Sequence, residues 1–233
     1  MPPDTAVVVL ASGSGRRLGR GNKALLELGG EPLLAHSMRA ARAARSVGEL
    51  VLVMMPEDVA ALDRAWGSSP EQLGADRVVA GGEHRWLSSR AGCEAVDARW
   101  PQILVHDAAR ALVCPATFDA VAAAVRQRGA ALAAAPVADT LKRAAADGTV
   151  AETVPREALW SAQTPQGARR DWLLEAFLRW DPALGLPTDE AMLLEAAGHP
   201  PALVPSPTDN IKITTAADLE LARALLGCKA STP

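Results

Sequence analysis

Ala6-Val7-Val8-Val9-Leu10 runs directly into Ala11-Ser12-Gly13-Ser14-Gly15-Arg16-Arg17-Leu18-Gly19-Arg20-Gly21-Asn22-Lys23. The first five residues form a short, continuous, largely β-branched run. Such a run reads as a strand buried on both faces, the signature of a parallel sheet. The segment after it is a loop with glycines at 13, 15, 19 and 21 and cations at 16, 17, 20 and 23. In open α/β sheets, ligands bind beyond the carboxyl ends of the strands. Backbone amides in a Gly-rich loop at that point face an anion. This stretch therefore predicts both an α/β fold and the location of its site.

The rest of the chain repeats the pattern. Apolar strands are expected at 49–55, 77–80, 102–106 and 130–136, with a short one at 24–28. Between them the spacing predicts helices from Pro32 to about 45, and over 56–66, 85–98 and 115–128, three of them opening on or near proline. This alternation predicts a mostly parallel sheet covered by helices on both faces. The beat breaks after Pro136. Residues 139–157 are polar, flanked by Thr and Val, and contain Asp147-Gly148; they read as a β-hairpin projecting from the domain. Helices at about 169–180 and 189–197, short strands at 202–204 and 211–213, and a closing helix over 215–226 capped by Thr214 or Thr215 complete the reading. One domain over 1–233 is expected, with an arm at about 138–160.

Composition narrows the function. At 233 residues with 49% hydrophobic and 22% charged side chains, the chain can bury a large core. Rings make up only 3% of it, so that core must be built from Ala, Val and Leu. A net charge of −3 argues against a nucleic-acid-binding domain. No apolar run approaches the ~18 residues of a membrane span, and no basic region precedes an apolar stretch at the N-terminus. Cys93, Cys114 and Cys228 are odd in number and far apart, which excludes a disulfide framework and a CxxC metal site. A soluble cytoplasmic protein is expected. Among 24 basic residues the lysines are Lys23, Lys142, Lys212 and Lys229. In a chain that uses Arg for ordinary surface charge, a retained Lys marks a need for a compact ammonium.

The first loop fits neither common glycine signature. Leu18 occupies the third position of GxGxxG, and Asn22 precedes Lys23 where a Walker A loop needs glycine. Its charge suits a nucleoside triphosphate whose phosphates undergo chemistry. Gly81-Gly82 ends the third of the main strands and lets a planar base approach the backbone; Ser88 follows near the start of the next helix. Asp107 and Arg110 stand just past the fourth, positioned for hydroxyls, phosphate or metal. His106 beside them reads as an interior histidine with a backbone partner. Asp139-Thr140, Lys142-Arg143, Arg156, Thr164-Pro165-Gln166, Thr188-Asp189-Glu190 and Asp209-Asn210-Ile211-Lys212 together offer hydroxyls and cations suited to a phosphorylated polyol.

In this order and spacing, these motifs resemble the 2-C-methyl-D-erythritol 4-phosphate cytidylyltransferases from about residue 6 to 226. The first loop alone would indicate only the wider nucleotidyltransferase superfamily. The resemblance implies a Rossmann-like three-layer α/β sandwich with a mostly parallel mixed sheet, of the nucleotide-diphospho-sugar transferase type, and a protruding β-hairpin arm. It also implies a homodimer in which the arm of one subunit closes the site of the other. The implied reaction joins CTP to methylerythritol phosphate, releasing pyrophosphate, with Mg²⁺ or another divalent cation held chiefly by the CTP phosphates. Carried over by position, Arg17 and Lys23 correspond to the pair that stabilises the transition state, and Arg156 and Lys212 to the pair that positions the attacking phosphate. Ala11, Ser12, Gly13, Gly15, Gly82, Glu83 and Ser88 lie around the nucleotide. Asp107, Arg110, Thr140, Thr164 and Thr188 match the polyol phosphate pocket. No metal-ligand set is assigned; Asp107 and Asp209 are candidates. The chain departs from the family at Ser12 (often Ala), Asn22 (usually Pro, in a loop one residue longer), Ala111 (usually Pro) and Glu83 (a shorter acid in some members). These changes alter loop shape and leave the charged groups in place.

Two other readings share the first loop. A cytidylyltransferase for another polyol phosphate, such as ribitol 5-phosphate, would differ in the arm and the threonine pocket. A nucleotide-binding module without catalysis would need only the loop and Gly81-Gly82, and leaves Arg156 and Lys212 unexplained. An NAD-dependent oxidoreductase is disfavoured by Leu18.

Overall fold

β1 (Thr5–Leu10) is buried at all of its positions, as its composition requires. The computed structural model describes residues 2–13 and 22–230. After β1, the minimal hairpin β2 (Glu27–Leu28) and β3 (Glu31–Pro32) leads into α1 (Leu33–Arg42). Strand–helix units follow: β4 (Val47–Val53) with α2 (Pro56–Trp66), β5 (Arg77–Val79) with α3 (Arg85–Ala95), and β6 (Gln102–Asp107) with α4 (Pro115–Arg128). β7 (Ala130–Pro136) then leads to the arm strands β8 (Leu141–Ala144) and β9 (Val150–Val154). The chain ends with β10 (Trp160–Arg169), α5 (Arg170–Arg179), α6 (Glu190–Ala196), β11 (Ala202–Pro205) and α7 (Ala216–Ala230).

Among the described residues, seven strands form the central sheet in the order β11-β7-β10-β6-β1-β4-β5. β10 runs antiparallel to both of its neighbours, and the other pairings are parallel. Side chains alternate across the pleat. Val7, Val9, Leu50, Leu52 and Leu104 pack with Leu34 and Met38 of α1 and Phe118 and Val121 of α4. Ala6, Val8, Val51, Val53 and Ile103 face α3, α5 and α6, meeting Cys93, Leu173, Phe177 and Leu193. Both faces are therefore covered, and the core is built mainly from Ala, Val and Leu, as expected. Burying each Val or Leu contributes about 1.5–3 kcal/mol.

The structure corrects several expected elements. Residues 160–169 were not expected to be a strand, yet they form β10 in mid-sheet. Pro165 removes a ladder donor, so the sequence argues against a central strand there. The sheet accommodates the proline by breaking the β7–β10 register between Ala162 and Gln166. Residues 24–28 split into a 3₁₀ turn at Lys23–Leu25 followed by β2. Residues 211–213 are irregular, tied to the site by Ile213 N donating to Ala109 O at 2.9 Å. α1 begins after Pro32 and ends at Arg42, three residues before the expected limit. Among the described residues, the arm strands pair only with each other, in a two-stranded sheet. Their turn falls at Asp147-Gly148, where Gly148 adopts φ +83° and Asp147 accepts from Thr149 N.

Candidate active site

β1 and β6 are parallel neighbours, and their carboxyl ends bring Leu10 and Asp107 side by side, with Ala11 next along the chain. Ala108 N donates to Leu10 O at 3.0 Å, locking the two exits together. Asp107 is the charged centre. Its Oδ1 accepts from Arg85 Nε at 3.1 Å, and its Oδ2 accepts from Lys212 Nζ at 2.5 Å. Burial works against the carboxylate, but the Arg85 guanidinium and the Lys212 ammonium hold its pKa well below the ordinary carboxylate range. Arg85 in turn places its fork on Glu190, with Nη1 and Nη2 at 2.8 and 3.0 Å from the two carboxylate oxygens. Burial opposes the charge on Arg85 as well, and Glu190 and Asp107 together keep it protonated. A relay thus links α6, α3, β6 and the segment carrying Lys212.

The backbone around Asp107 is supported by the break in β10. Asp107 N donates to Thr164 Oγ1 at 3.1 Å, so a hydroxyl takes the place of a ladder carbonyl. The same Oγ1 lies 3.0 Å from His106 Nδ1. His106 is fully buried, its ring centre 5.1 Å from that of Phe118. Burial lowers its pKa to about 4, so it is neutral at pH 7 and is a packing residue. The carbonyls freed by the register break also find partners. Arg110 donates to Ala162 O and Asn210 O, and Asn210 Nδ2 donates to Thr164 O and Gln163 Oε1. Asn210 is thereby buried, two residues before Lys212.

Facing this cluster is the described base of the first loop. Gly13, Lys23, Asp107 and Lys212 line a cavity of about 90 Å³ together with Ala11 and Ala109. A Cβ on Gly13 would stand 3.8 Å from Lys23 Cε. On the other side, Ser12 Oγ donates to Ser88 Oγ at 2.9 Å, and Ser88 Oγ accepts from Gly82 N at 3.0 Å. A Cβ on Gly81 would lie 2.4 Å from Ser12 Cβ, so only glycine permits this approach of the two loops. Glu83 is exposed beside them.

The described positions singled out in the sequence fall into three groups. Ala11, Ser12, Gly13, Lys23, Gly82, Ser88, Asp107, Arg110, Thr164 and Lys212 gather at the carboxyl ends of the strands. Thr188 is exposed just before α6, its hydroxyl 3.7 Å from Met192 Sδ. Asp189 caps that helix by accepting from Met192 N at 2.9 Å. Thr140 and Arg156 lie on the exposed arm, where Arg156 donates to Ala138 O. Gly15 and Arg17 lie outside the described residues. Reasoning from the sequence did not single out Glu190 as the anchor of Arg85, Asn210 as the support of the β10 break, or Asn22 as a buried amide at the foot of the first loop. The signal for Glu190 was its place in Thr188-Asp189-Glu190, though nothing local shows an acid there to be buried.

Among the described residues no group of three or more His, Cys, Asp or Glu side chains is placed to hold a metal ion. No helix among them is long and apolar enough to cross a membrane. A larger cavity of about 430 Å³ opens at the opposite ends of β1 and β6, beside Asp4, Gln102 and Arg170. The charge relay and the paired glycine loops are absent there.

Comparison with known proteins agrees with this fold. The profile of the family described as 2-C-methyl-D-erythritol 4-phosphate cytidylyltransferase matches residues 5–228. A protein of that name from Frankia casuarinae is 44% identical over 96% of this chain and 82% of its own length. Another from Deinococcus radiodurans is 43% identical over 97% of this chain and 90% of its own. The crystal structure of the Thermus thermophilus protein of that name superposes with a TM-score of 0.78 at 33% identity, covering 97% of this chain and 98% of that one. A 4-diphosphocytidyl-2C-methyl-D-erythritol synthase structure from Anaerococcus prevotii reaches a TM-score of 0.83 at 24% identity, over 97% of this chain and 96% of that one, and shows the shared fold. With a match running almost end to end, the chain belongs to the 2-C-methyl-D-erythritol 4-phosphate cytidylyltransferase family.

Proposed function

We propose that this chain transfers the cytidylyl group of CTP to 2-C-methyl-D-erythritol 4-phosphate, a step of non-mevalonate isoprenoid precursor synthesis. A phosphate oxygen of the polyol forms a bond to the α-phosphorus of CTP, and the bond from that phosphorus to the departing pyrophosphate breaks. The observation that carries the proposal is the meeting of Lys23, Asp107 and Lys212 around one cavity at the carboxyl ends of β1 and β6.

The attacking group needs no general base. The second pKa of a phosphate monoester is near ~6, so it is already ionised at neutral pH. This suits a site whose histidine is buried and neutral. The difficulty is joining two polyanions. Arg17 and Lys23 neutralise charge on the α-phosphate and the departing pyrophosphate. Lys212 and Arg156 hold the attacking phosphate in line. Lys212 is presented by Asp107, which fixes its ammonium while Arg85 and Glu190 fix Asp107. Ala11, Ser12, Gly13, Gly15, Gly82, Glu83 and Ser88 receive the nucleotide. Arg110 and Thr164 shape the polyol side from below through their backbone and hydroxyl bonds, with Thr188 and Thr140 at its edge. Mg²⁺, bound chiefly by the CTP phosphates, would lower the charge on the triphosphate. Asp107 is already engaged by two cations, so the phosphates would supply most of the ligands to this ion.

Thr140 and Arg156 flank a ribbon that, among the described residues, pairs only with itself, and such a ribbon is marginal in isolation. We assign them to the site of a second copy, in a cytoplasmic homodimer that exchanges arms. Light scattering is expected to give twice 24.3 kDa; a single 24.3 kDa species at working concentration would remove the arm exchange. The activity test is pyrophosphate release with CTP, Mg²⁺ and methylerythritol 4-phosphate, against ATP, GTP and UTP and a ribitol 5-phosphate control. Release that requires both CTP and methylerythritol phosphate is expected. Release with ribitol phosphate alone, or none with any acceptor, would overturn the assignment.

A further inference from the structure

Asn22 is buried at the foot of the first loop, and all of its side-chain polar atoms are engaged. Its Nδ2 donates to Ala11 O at 2.5 Å and to Asp58 Oδ2 at 2.8 Å. Its Oδ1 accepts from Ala24 N at 2.9 Å, capping the 3₁₀ turn that holds Lys23, and its backbone carbonyl accepts from Leu25 N at 3.1 Å. One amide therefore joins three places: the exit of β1, the turn that carries Lys23, and the first turn of α2. α2 is itself seated on the sheet, since it follows Met54, whose N–H donates to Val79 O at 3.0 Å.

We propose that Asn22, braced by Asp58, is the positioning residue that sets where Lys23 meets the triphosphate. The inference rests on the role given to Lys23 above. A lysine side chain has four rotatable carbons and no planar fork to orient it, so its reach is set by its backbone. Here that backbone has Asn22 on one side and a turn begun by the Asn22 side chain on the other. With the amide removed, Ala11 O and Ala24 N lose a buried partner, and Asp58 loses its donor. Lys23 keeps its charge but not its place, and misplacement by about 1 Å costs up to about 100-fold in rate.

The test compares steady-state kinetics of Asn22→Ala, Asp58→Ala, Asp58→Asn and Lys23→Ala, singly and with Asn22→Ala added to Lys23→Ala. Asn22→Ala is expected to lower kcat by about 10- to 100-fold while KM for methylerythritol phosphate stays within about twofold. Asp58→Asn keeps an oxygen that accepts from Asn22 and retains most of the rate, whereas Asp58→Ala does not. The double variant is no slower than Lys23→Ala alone, because Asn22 acts through that lysine. Circular dichroism and thermal melts check that each variant is folded. Should a folded Asn22→Ala run at the wild-type kcat, or its loss multiply undiminished with that of Lys23→Ala, the positioning role is wrong. A Lys23→Ala enzyme at full rate would instead remove the reading of Lys23 on which the proposal rests.

Discussion

The cluster around Asp107 and the arm use the same side chains in opposite surroundings. Arg85 and Glu190 pair with side chains 27% and 1% exposed; Arg143 and Glu152 pair on the arm at 66% and 54%. The first pair is locked into a relay that ends on Lys212. The second stands on a ribbon in water, where an ion pair contributes little. The difference teaches that burial, not residue type, decides what an ion pair does. The strand-end cluster pairs its charges among its own residues, while Thr140 and Arg156 are exposed on the arm, where Arg156 donates to Ala138 O.

The largest effect expected from breaking this contrast is on rate. Lys23→Ala and Lys212→Ala should each lose on the order of 10²–10³ in kcat while folding normally, measured by pyrophosphate release. Arg156→Ala should lose a similar amount. Mixed with Lys23→Ala subunits, it should recover part of the activity, because one hybrid site then carries both intact residues; no recovery after subunit exchange would place Arg156 outside the partner's site.

Stability separates the two ion pairs. Glu190→Gln leaves Arg85 with a weakened partner in a buried relay and should cost about 3 kcal/mol in urea unfolding. Arg143→Ala on the arm should cost less than about 0.5 kcal/mol by the same measurement. Comparable losses would mean that the arm is more protected than its exposure indicates.

Between these lies a pH effect under the strand-end cluster. His106 has its pKa lowered from 6.5 to about 4 by burial. Below pH 6.5 the unfolded chain takes up a proton that the folded protein resists. This contribution is therefore complete above pH 6.5 and is lost as pH falls towards 4, in total about 3 kcal/mol. Stability measured between pH 7.5 and 4.5 should fall in the wild type and fall less steeply in His106→Gln. Equal slopes in the two proteins would contradict the burial of a neutral imidazole.

Much of this was legible along the chain. Pro56–Trp66 and Pro115–Arg128 form helices with the expected limits, because proline starts each and glycine follows each. The turn of the arm falls at Asp147-Gly148 because glycine there takes a positive φ. β10 was not legible, since Pro165 speaks against a central strand and only the paired strands on both sides make one.

By itself, the sequence determined the alternation of buried strands and amphipathic helices, the Gly-rich basic loop after β1, and the few places where lysine was kept. These are local properties, written in spacing and residue type. The tertiary structure decided which groups meet. Asp107 and Lys212 lie 105 positions apart, as do Arg85 and Glu190, and each pair forms because the folded chain brings the starts of α3 and α6 and the segment carrying Lys212 to the carboxyl end of β6. Whether a carboxylate is solvated or held between two cations depends on what packs over it, and no local pattern carries that information.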